Sequence, residues 1–196
     1  MAIQTICVTY RGIDSILQNN PQMSDPLNKF SKEMKQITGK RKKTDEDIAD
    51  MRNLEIRAKI YFDEEIGIYV PSSWVQASIA GVSWSRAKIK KGDIRACVFV
   101  TEQKLKLQYD GFEQVKKPMD IVGNDRFHLI QSLKQGQVRV VKATPIFNNW
   151  SFSCDIEFDD SIINESELKS IIEYGAKFGG FGDFRPTYGR AVVEFK

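Results

Sequence analysis

The stretch WSFSCDIEFD, residues 150–159, decides the fold of this 196-residue chain. Its side chains alternate strictly between apolar and polar. The apolar positions are Trp150, Phe152, Cys154, Ile156 and Phe158, and the polar ones are Ser151, Ser153, Asp155, Glu157 and Asp159. Successive side chains of a strand point to opposite faces. The stretch therefore predicts a strand of an antiparallel sheet, with one face buried and the other solvated.

The residues that follow predict a helix and a last strand. Asn164 with Glu167 three positions later is typical of a helix start, and apolar residues recur at helical spacing from Leu168. Gly179-Gly180 ends this helix. Residues 191–195 alternate again and predict the final strand.

The amino-terminal third predicts a strand and two helices. Residues 2–10 alternate with period two. Ser24 is the expected cap of a first helix that ends at Gly39, and Thr44 with Asp47 has the spacing of a capping box for a second.

The middle of the chain is rich in strand patterns. The segments 58–62 and 66–70 flank the acidic turn Asp63–Glu65 and predict a hairpin, after which Ser72 or Ser73 is expected to cap a short helix. Further strands are expected at 94–100, 105–109, 127–133 and 138–143, the last two joined at Gln135-Gly136.

This order of elements predicts the α+β class. Strand–helix units at both ends of the chain favour a ferredoxin-like, or RRM-like, antiparallel sheet with helices on one face. We expect a single domain over residues 1–196, with a β-rich insertion at about 92–143.

Composition excludes several classes of protein. The chain is 41% hydrophobic and 28% charged with a net charge of +3, which excludes disorder, collagen and coiled coil. It begins without a signal-peptide pattern, and no window has about 18 apolar residues. Cys7, Cys97 and Cys154 are far apart and lack metal-site spacing. We therefore expect a cytoplasmic protein with no membrane partner.

Few residues have the pattern of a catalytic site. The single histidine, His128, excludes a two-histidine zinc site, and no glycine-rich phosphate-binding motif opens a helix. We predict no cofactor, no metal site and no catalytic residue, so an enzyme is the less favoured interpretation.

Two basic clusters predict contact with phosphates. The first is Lys40, Arg41, Lys42 and Lys43, for which a solvated connection between helices is the alternative. The second is Arg86, Lys88, Lys90 and Lys91, which follow Trp84. Alternation in this second cluster predicts an extended segment with several cations on one side, as in a groove that follows a nucleic-acid backbone.

A glycine-rich segment before the last strand, GGFGDFRPTYGR at residues 179–190, is a third candidate. Glycine allows a close approach of the backbone, and arginines and rings suit phosphates and bases. The candidate residues are Gly180, Phe181, Gly182, Arg185, Tyr188 and Arg190. The alternative is a tight connection whose aromatic residues fill the core.

Three segments resemble the RAMP superfamily, the ferredoxin-like RNA-binding proteins that build CRISPR effector backbones and process guide RNA. They are VTYRGIDSIL, IYVPSSWVQASI and GGFGDFRPTYGR. The layout that includes DPLNKFSKEMKQITGKRKKTDED and GDFRPTYGR is also similar to a protein family encoded by phages and prophages. This second resemblance implies a setting, the cytoplasm of a bacterial host, and no activity.

The resemblance implies a protein that binds single-stranded RNA or DNA through its sheet face and glycine-rich loop and that self-associates along the strand. Catalytic RAMP proteins use a histidine or other acid–base residues, and this chain has no histidine in the corresponding amino-terminal region. We therefore expect binding without cleavage. Two alternatives stay open: a protein-interaction factor that acts on a host defence complex, and a RAMP-type ribonuclease.

Overall fold

The computed structural model describes residues 3–196, apart from the side chains of residues 133 and 135. Its first half contains β1 (Ile3–Gly12), β2 (Ile16–Leu17), α1 (Lys29–Thr38), α2 (Asp45–Lys59), β3 (Phe62–Asp63), β4 (Gly67–Pro71) and α3 (Ser72–Ala87). Its second half contains α4 (Lys91–Cys97), β5 (Val98–Val100), β6 (Lys104–Lys106), α5 (Pro118–Val122), β7 (His128–Gln135), β8 (Val138–Phe147), β9 (Ser151–Asp159), α6 (Glu165–Tyr174) and β10 (Ala191–Phe195). The predicted start of the first strand at residue 2 lies outside the described residues.

The main sheet has four strands in the order β10-β1-β9-β5, and all of its pairs are antiparallel. Numbered along the chain, these strands lie in the order 4-1-3-2. Helices α3 and α4 lie between the first and second of them, and α6 lies between the third and fourth. This is the β-α-β-β-α-β ferredoxin-like arrangement, so the predicted α+β class and antiparallel sheet are confirmed.

One face of this sheet forms the core. Tyr10 pairs with Phe152 on one side and with Val193 on the other. Tyr10 and Phe152 are 1% and 2% exposed, and they pack with Ile79 of α3 and Leu168 of α6 in one apolar cluster. The alternation at 150–159 is therefore confirmed, because its apolar side chains are the ones buried against the helices.

Two further three-stranded sheets, β2-β8-β7 and β3-β4-β6, complete the β structure of the described chain. The β7–β8 hairpin predicted at Gln135-Gly136 is confirmed, as is the hairpin around the acidic turn at 63–65. Helix α2 lies along β8, where Glu55 accepts the backbone N–H of Ala143 at 2.8 Å. Lys59 Nζ donates to the Ala143 carbonyl at 2.6 Å. The backbone N–H and the carbonyl of Ala143 are thus both hydrogen-bonded to side chains of a helix.

The predicted cap of the first helix is wrong. Asn28 caps α1, because its Oδ1 accepts the N–H of Phe30 at 2.9 Å. The Ser24 hydroxyl instead donates to the Pro21 carbonyl at 2.6 Å, inside a 3-10 turn at Pro21–Ser24. Gly39 does end α1, and the capping box of Thr44 and Asp47 starts α2 as predicted.

Two predictions for the segment 71–100 are also wrong. Helix α3 is 16 residues long, and the residue before it, Pro71, makes no side-chain cap bond. Residues 91–97 form α4 and not the first half of a strand. The buried pair Ile94 and Cys97 lies one helical turn apart, so the apolar residues here follow a period of three to four and not of two.

The predicted caps and ends near the carboxyl terminus are confirmed. Asn164 Oδ1 accepts the N–H of Glu167 at 2.9 Å, which starts α6. A π-helical turn at Gly175–Gly179 follows α6 before the glycine-rich loop. Within residues 3–196 no helix has both the length and the apolarity needed to cross a membrane.

Candidate nucleic-acid interface

The second predicted basic cluster lies on the helical side of the protein, where α3 ends and α4 begins. Trp84 is 58% exposed, and Arg86, Lys88, Lys90 and Lys91 are exposed around it. The π-helical turn after α6 contributes two more exposed residues, Lys177 and Phe178, the latter 56% exposed. We call these seven residues the basic helical surface.

Arg86 connects α3 with α6. Its guanidinium lies 4.4 Å from the centroid of the Tyr174 ring, and Tyr174 lies 4.7 Å from Phe178. Lys177 lies 5.8 Å from the Phe178 centroid. Cations over ring faces are attracted by the ring quadrupole, so this contact orients Arg86 beside an exposed ring. Our sequence analysis missed Tyr174, Lys177 and Phe178, although they directly precede the glycine-rich segment.

The approach of α3 to the end of α6 depends on Gly175. A Cβ atom at this position would lie 2.7 Å from Ser78 Oγ and 3.1 Å from the Ser78 carbonyl oxygen. The first distance is shorter than a real Cβ contact and the second is tight, so a larger residue at position 175 would push α3 away from this turn. The neighbourhood of Arg86 and Tyr174 is built on this contact.

The cations after α3 do not lie on an extended strand, which corrects the predicted groove geometry. Lys88 ends α3 in the left-handed conformation with φ of 60°, and its Nζ lies 5.9 Å from the Trp84 ring centroid. Lys90 occupies the cap position of α4. The chain thus turns sharply between two helices, and the cations spread over a helical corner instead of one side of a strand.

The glycine-rich loop is fixed by backbone contacts. Phe181 N–H donates to the Gly189 carbonyl at 2.8 Å, and Gly189 N–H donates to the Ser15 carbonyl at 2.8 Å. A Cβ on Gly189 would lie 1.9 Å from the Phe181 carbonyl oxygen, and one on Gly182 would lie 2.2 Å from the Leu17 carbonyl oxygen. These glycines, with the buried Gly180, are required for packing of the loop against the segment after β1.

Phe181 is not available to stack on a base. It is 1% exposed and lies 5.0 Å from Tyr10 and 5.4 Å from Phe152, centroid to centroid. It therefore belongs to the core of the sheet, which corrects its assignment as a nucleic-acid contact. The alternative considered for the segment, a connection whose aromatic residues fill the core, holds for this ring.

The other candidates in the loop lie nearer the surface. Arg190 forms a two-point ion pair with Asp14, with Nε–Oδ2 at 2.5 Å and Nη2–Oδ1 at 3.2 Å, which raises the pKa of Arg190. Tyr188 Oη accepts from Gln131 Nε2 at 3.4 Å, and Arg185 is exposed. Tyr188 and Asp14 also line an open cleft of about 500 Å³ beside the loop.

The first basic cluster lies on the loop between α1 and α2. In the sequence it is distant from both the second basic cluster and the glycine-rich segment. Lys40 forms an ion pair with Asp47, which lowers the pKa of Asp47 together with the Thr44 backbone N–H. Lys43 Nζ donates to the Lys40 carbonyl at 3.4 Å. Arg41 and Lys42 are exposed. Part of this cluster therefore serves the start of α2.

The open face of the main sheet is acidic. Beside Arg11, which pairs with Glu194 at 2.8 Å, it carries the carboxylates of Asp155, Glu157 and Glu194, with Glu102 beside Asp155, and the exposed apolar side chains of Phe99 and Val192. We call the six residues other than Arg11 the acidic sheet face. Burial and then its contact with Asp155 raise the pKa of Cys7, which lies on this face. Negative charge repels a phosphate backbone. It therefore argues against the binding through the sheet face that the resemblance implies.

His128 is held inside the fold. Its side chain is 10% exposed, its Nε2 lies 3.0 Å from the Ile121 carbonyl oxygen, and its Nδ1 lies 3.5 Å from Asp125 Oδ1. A carbonyl only accepts, so Nε2 carries the proton and donates. This bond ties β7 to α5.

Comparison with solved structures found likenesses of fold, one of which is described here. No protein-family model matches the sequence, and no curated protein matches it. The crystal structure of Cmr6 from Pyrococcus furiosus aligns over 99% of this chain and 100% of that chain, with a TM-score of 0.40 and 9% sequence identity. The ferredoxin-like assignment above rests on the strand order of this chain and is independent of that likeness.

Proposed function

We propose that this protein binds single-stranded nucleic acid on the basic helical surface and does not cleave it. The supporting observation is that the end of α3 carries two groups of cations and rings. One is Trp84 with Lys88 at 5.9 Å, and the other is Arg86 over Tyr174, next to Phe178 and Lys177. Proteins that bind single strands combine cations for phosphates with exposed rings for bases. Each of the two groups has both kinds of side chain.

The rings and the cations have separate expected roles. Stacking of a base on an exposed aromatic ring contributes about 1–3 kcal/mol, and Trp84 and Phe178 are each more than half exposed. Lys88, Lys90 and Lys91 would neutralise phosphates and release counterions. Stacking tolerates any base, so we expect little sequence preference.

Several finer parts of the proposal follow from the resemblance and not from the geometry. We propose that copies self-assemble along the strand, that the chain is one domain with its insertion near 92–143, and that it acts in the cytoplasm of a bacterial host in a phage or prophage setting. The strand is RNA or DNA. Arg185, Tyr188 and Arg190 are proposed as a second contact, beside the cleft at the glycine-rich loop.

A salt titration tests the proposal. Binding of a fluorescent homopolymeric single strand is measured by anisotropy over a range of salt concentrations. Each phosphate contact contributes about −0.7 to the log–log slope. The triple variant Arg86→Glu, Lys90→Glu and Lys91→Glu should therefore weaken binding and flatten the slope by about 2.

The matched control reverses the same number of exposed lysines elsewhere, at Lys32, Lys106 and Lys116. If binding depended only on net charge, both triple variants would weaken it equally, and the basic helical surface would not be the site. For stacking, Trp84→Ala is compared with Phe99→Ala, a ring that is 50% exposed on the acidic sheet face. Only Trp84→Ala should weaken binding.

The second candidate is a protein-interaction subunit, including a factor that acts on a host defence complex. The acidic sheet face favours it, since Phe99 is 50% exposed opposite the carboxylate of Glu157. If the wild-type protein shows no salt-dependent binding to any single strand, the protein-interaction function replaces nucleic-acid binding as the favoured proposal. Cleavage of a labelled RNA by purified protein would instead support the RAMP-type ribonuclease.

A further inference from the structure

The β7–β8 hairpin is strongly basic. Residues 128–147 contain Lys134, Arg139 and Lys142 and no aspartate or glutamate. Lys142 is paired with Glu55 of α2 at 2.8 Å. Lys134 and Arg139 lie opposite each other in the register near the tip, where both are exposed. The outer part of the hairpin therefore carries two adjacent cations.

The same part of the hairpin exposes apolar side chains. Ile130 is 49% exposed and Val141 is 52% exposed. Ile130 lies opposite Ala143, Val141 opposite Ser132, and Lys134 opposite Arg139. Directly opposite residues lie on the same face and side chains alternate along a strand, so Ile130, Val141, Lys134 and Arg139 share one face. We call these four residues the arm face.

Helix α2 covers β8 only near the base of the hairpin, where Glu55 and Lys59 bind Ala143. Strand β7 is the outer strand of its sheet, in the order β2-β8-β7. A two-stranded ribbon is marginally stable alone in water, and exposed apolar groups rimmed by charge are typical of contact surfaces. Aliphatic side chains do not stack on bases, so this face suits a protein better than a nucleic acid.

The acidic sheet face has the complementary pattern. Phe99 lies opposite Glu157 in the register, and Val192 and Glu194 lie on β10 two residues apart. Phe99 is thus flanked by carboxylates, whereas Val192 lies opposite Arg11, which is paired with Glu194. On the arm, the apolar side chains are flanked by cations. Potentials of opposite sign steer association and fix its register.

We propose that the arm face of one copy docks on the acidic sheet face of a second copy. The contact joins two different surfaces, so it is heterologous and leaves one free arm and one free sheet face on every pair. Copies therefore add head to tail into a ring or an open chain. This inference deepens the proposed self-assembly, but it requires no nucleic acid.

Sedimentation velocity on nuclease-treated protein tests the inference. At low salt, the mass should rise with concentration above that of one 22.4 kDa chain, and high salt should return it to one chain because exposed charges are screened. The arm-reversed variant, Lys134→Glu with Arg139→Glu, should remain a monomer. The face-reversed variant, Glu102→Lys with Glu157→Lys, should do the same.

Mixing the two variants provides the decisive step. The acidic arm of one variant then meets the basic sheet of the other, and the reverse pair is complementary too, so the mixture should assemble again. If circular dichroism shows that the arm-reversed variant is unfolded, Val141→Thr is used in its place. This substitution keeps the β-branched shape and should weaken assembly relative to the wild type. A wild-type monomer at every concentration, or reversed variants that assemble as the wild type does, would overturn the inference.

The strand-binding assay separates this inference from the proposed function. Arm reversal should leave the affinity of one chain for a short single strand unchanged. If instead it removes binding while the wild type is monomeric, the arm is a nucleic-acid surface and the docking inference is overturned. If assembly is confirmed without any strand binding, the proposed function fails and the docking inference stands.

Discussion

Glu55 on α2 accepts the backbone N–H of Ala143 on β8 at 2.8 Å, and its side chain is only 10% exposed. A side chain of a helix here takes the place of a neighbouring strand. Unpaired strand edges invite pairing with other chains. This one contact both satisfies the edge and fixes α2 on the hairpin.

Removal of this carboxylate should destabilise the fold. Glu55→Ala leaves the buried N–H of Ala143 without an acceptor, so we expect a loss of about 1–3 kcal/mol in the free energy of unfolding. Glu55→Gln keeps an amide oxygen and should cost less. Urea unfolding followed by circular dichroism measures both, with the exposed Glu46→Ala on the same helix as control. Equal effects of Glu55→Ala and Glu46→Ala would contradict the assigned role.

Two glycines should respond to alanine with opposite signs. Gly189 has φ of +77°, and a Cβ there would lie 1.9 Å from the Phe181 carbonyl oxygen. Gly189→Ala should therefore destabilise by more than about 1 kcal/mol. Gly81 lies within α3 with open space around its Cβ position, so Gly81→Ala should stabilise by about 0.5–1 kcal/mol. Melting temperatures that move in the same direction would refute this assignment.

Phe181 should matter for stability and not for binding. Truncation of a buried phenylalanine typically costs about 3–5 kcal/mol, and Phe181 packs against three core rings, Tyr10, Trp150 and Phe152. The conservative Phe181→Leu keeps the protein folded at lower stability. Its affinity for a single strand should equal that of the wild type. If a fully folded variant lost affinity, Phe181 would belong to the nucleic-acid interface after all.

The start of α2 should weaken in acid. The Lys40 side chain and then the Thr44 N–H lower the pKa of Asp47 in the folded state, whereas the unfolded pKa is about 3.9. The contribution of Asp47 is therefore present above about pH 4 and is lost as the pH falls through the lower folded value. The urea midpoints of wild type and Asp47→Asn should differ most near neutral pH and converge in strong acid. Asp50→Asn, on the same helix, is the control, and a gap independent of pH would be inconsistent with this mechanism.

Much of the fold could be predicted from local sequence. Strand β9 was predicted because one face of its sheet is core and the other is open, which imposes period two on its side chains. Thr44 and Asn164 were identified because a capping side chain bonds a backbone N–H two or three residues away, within the same short segment. The glycine-rich loop was flagged for its composition.

The errors came where the periodicity of a short segment was ambiguous. Ile94 and Cys97 lie between alternating residues that also fit a strand, and only their burial against α3 and the sheet selects the helix α4. Phe181 and Tyr188 belong to one loop, and both are aromatic. Which of them faces the core depends on the approach of residues 180–189 to the segment after β1.

The sequence by itself therefore determined the main strands, the helices α2 and α6 and the antiparallel α+β class, because their patterns depend on near neighbours in the chain. Only the tertiary structure decided which charges share a surface. Arg86 meets Tyr174, Glu55 meets Ala143, and the carboxylates of β9 and β10 come to one face of the sheet on either side of β1, through pairings of residues far apart in sequence. Such pairings arise from packing of the whole core, which no local pattern encodes.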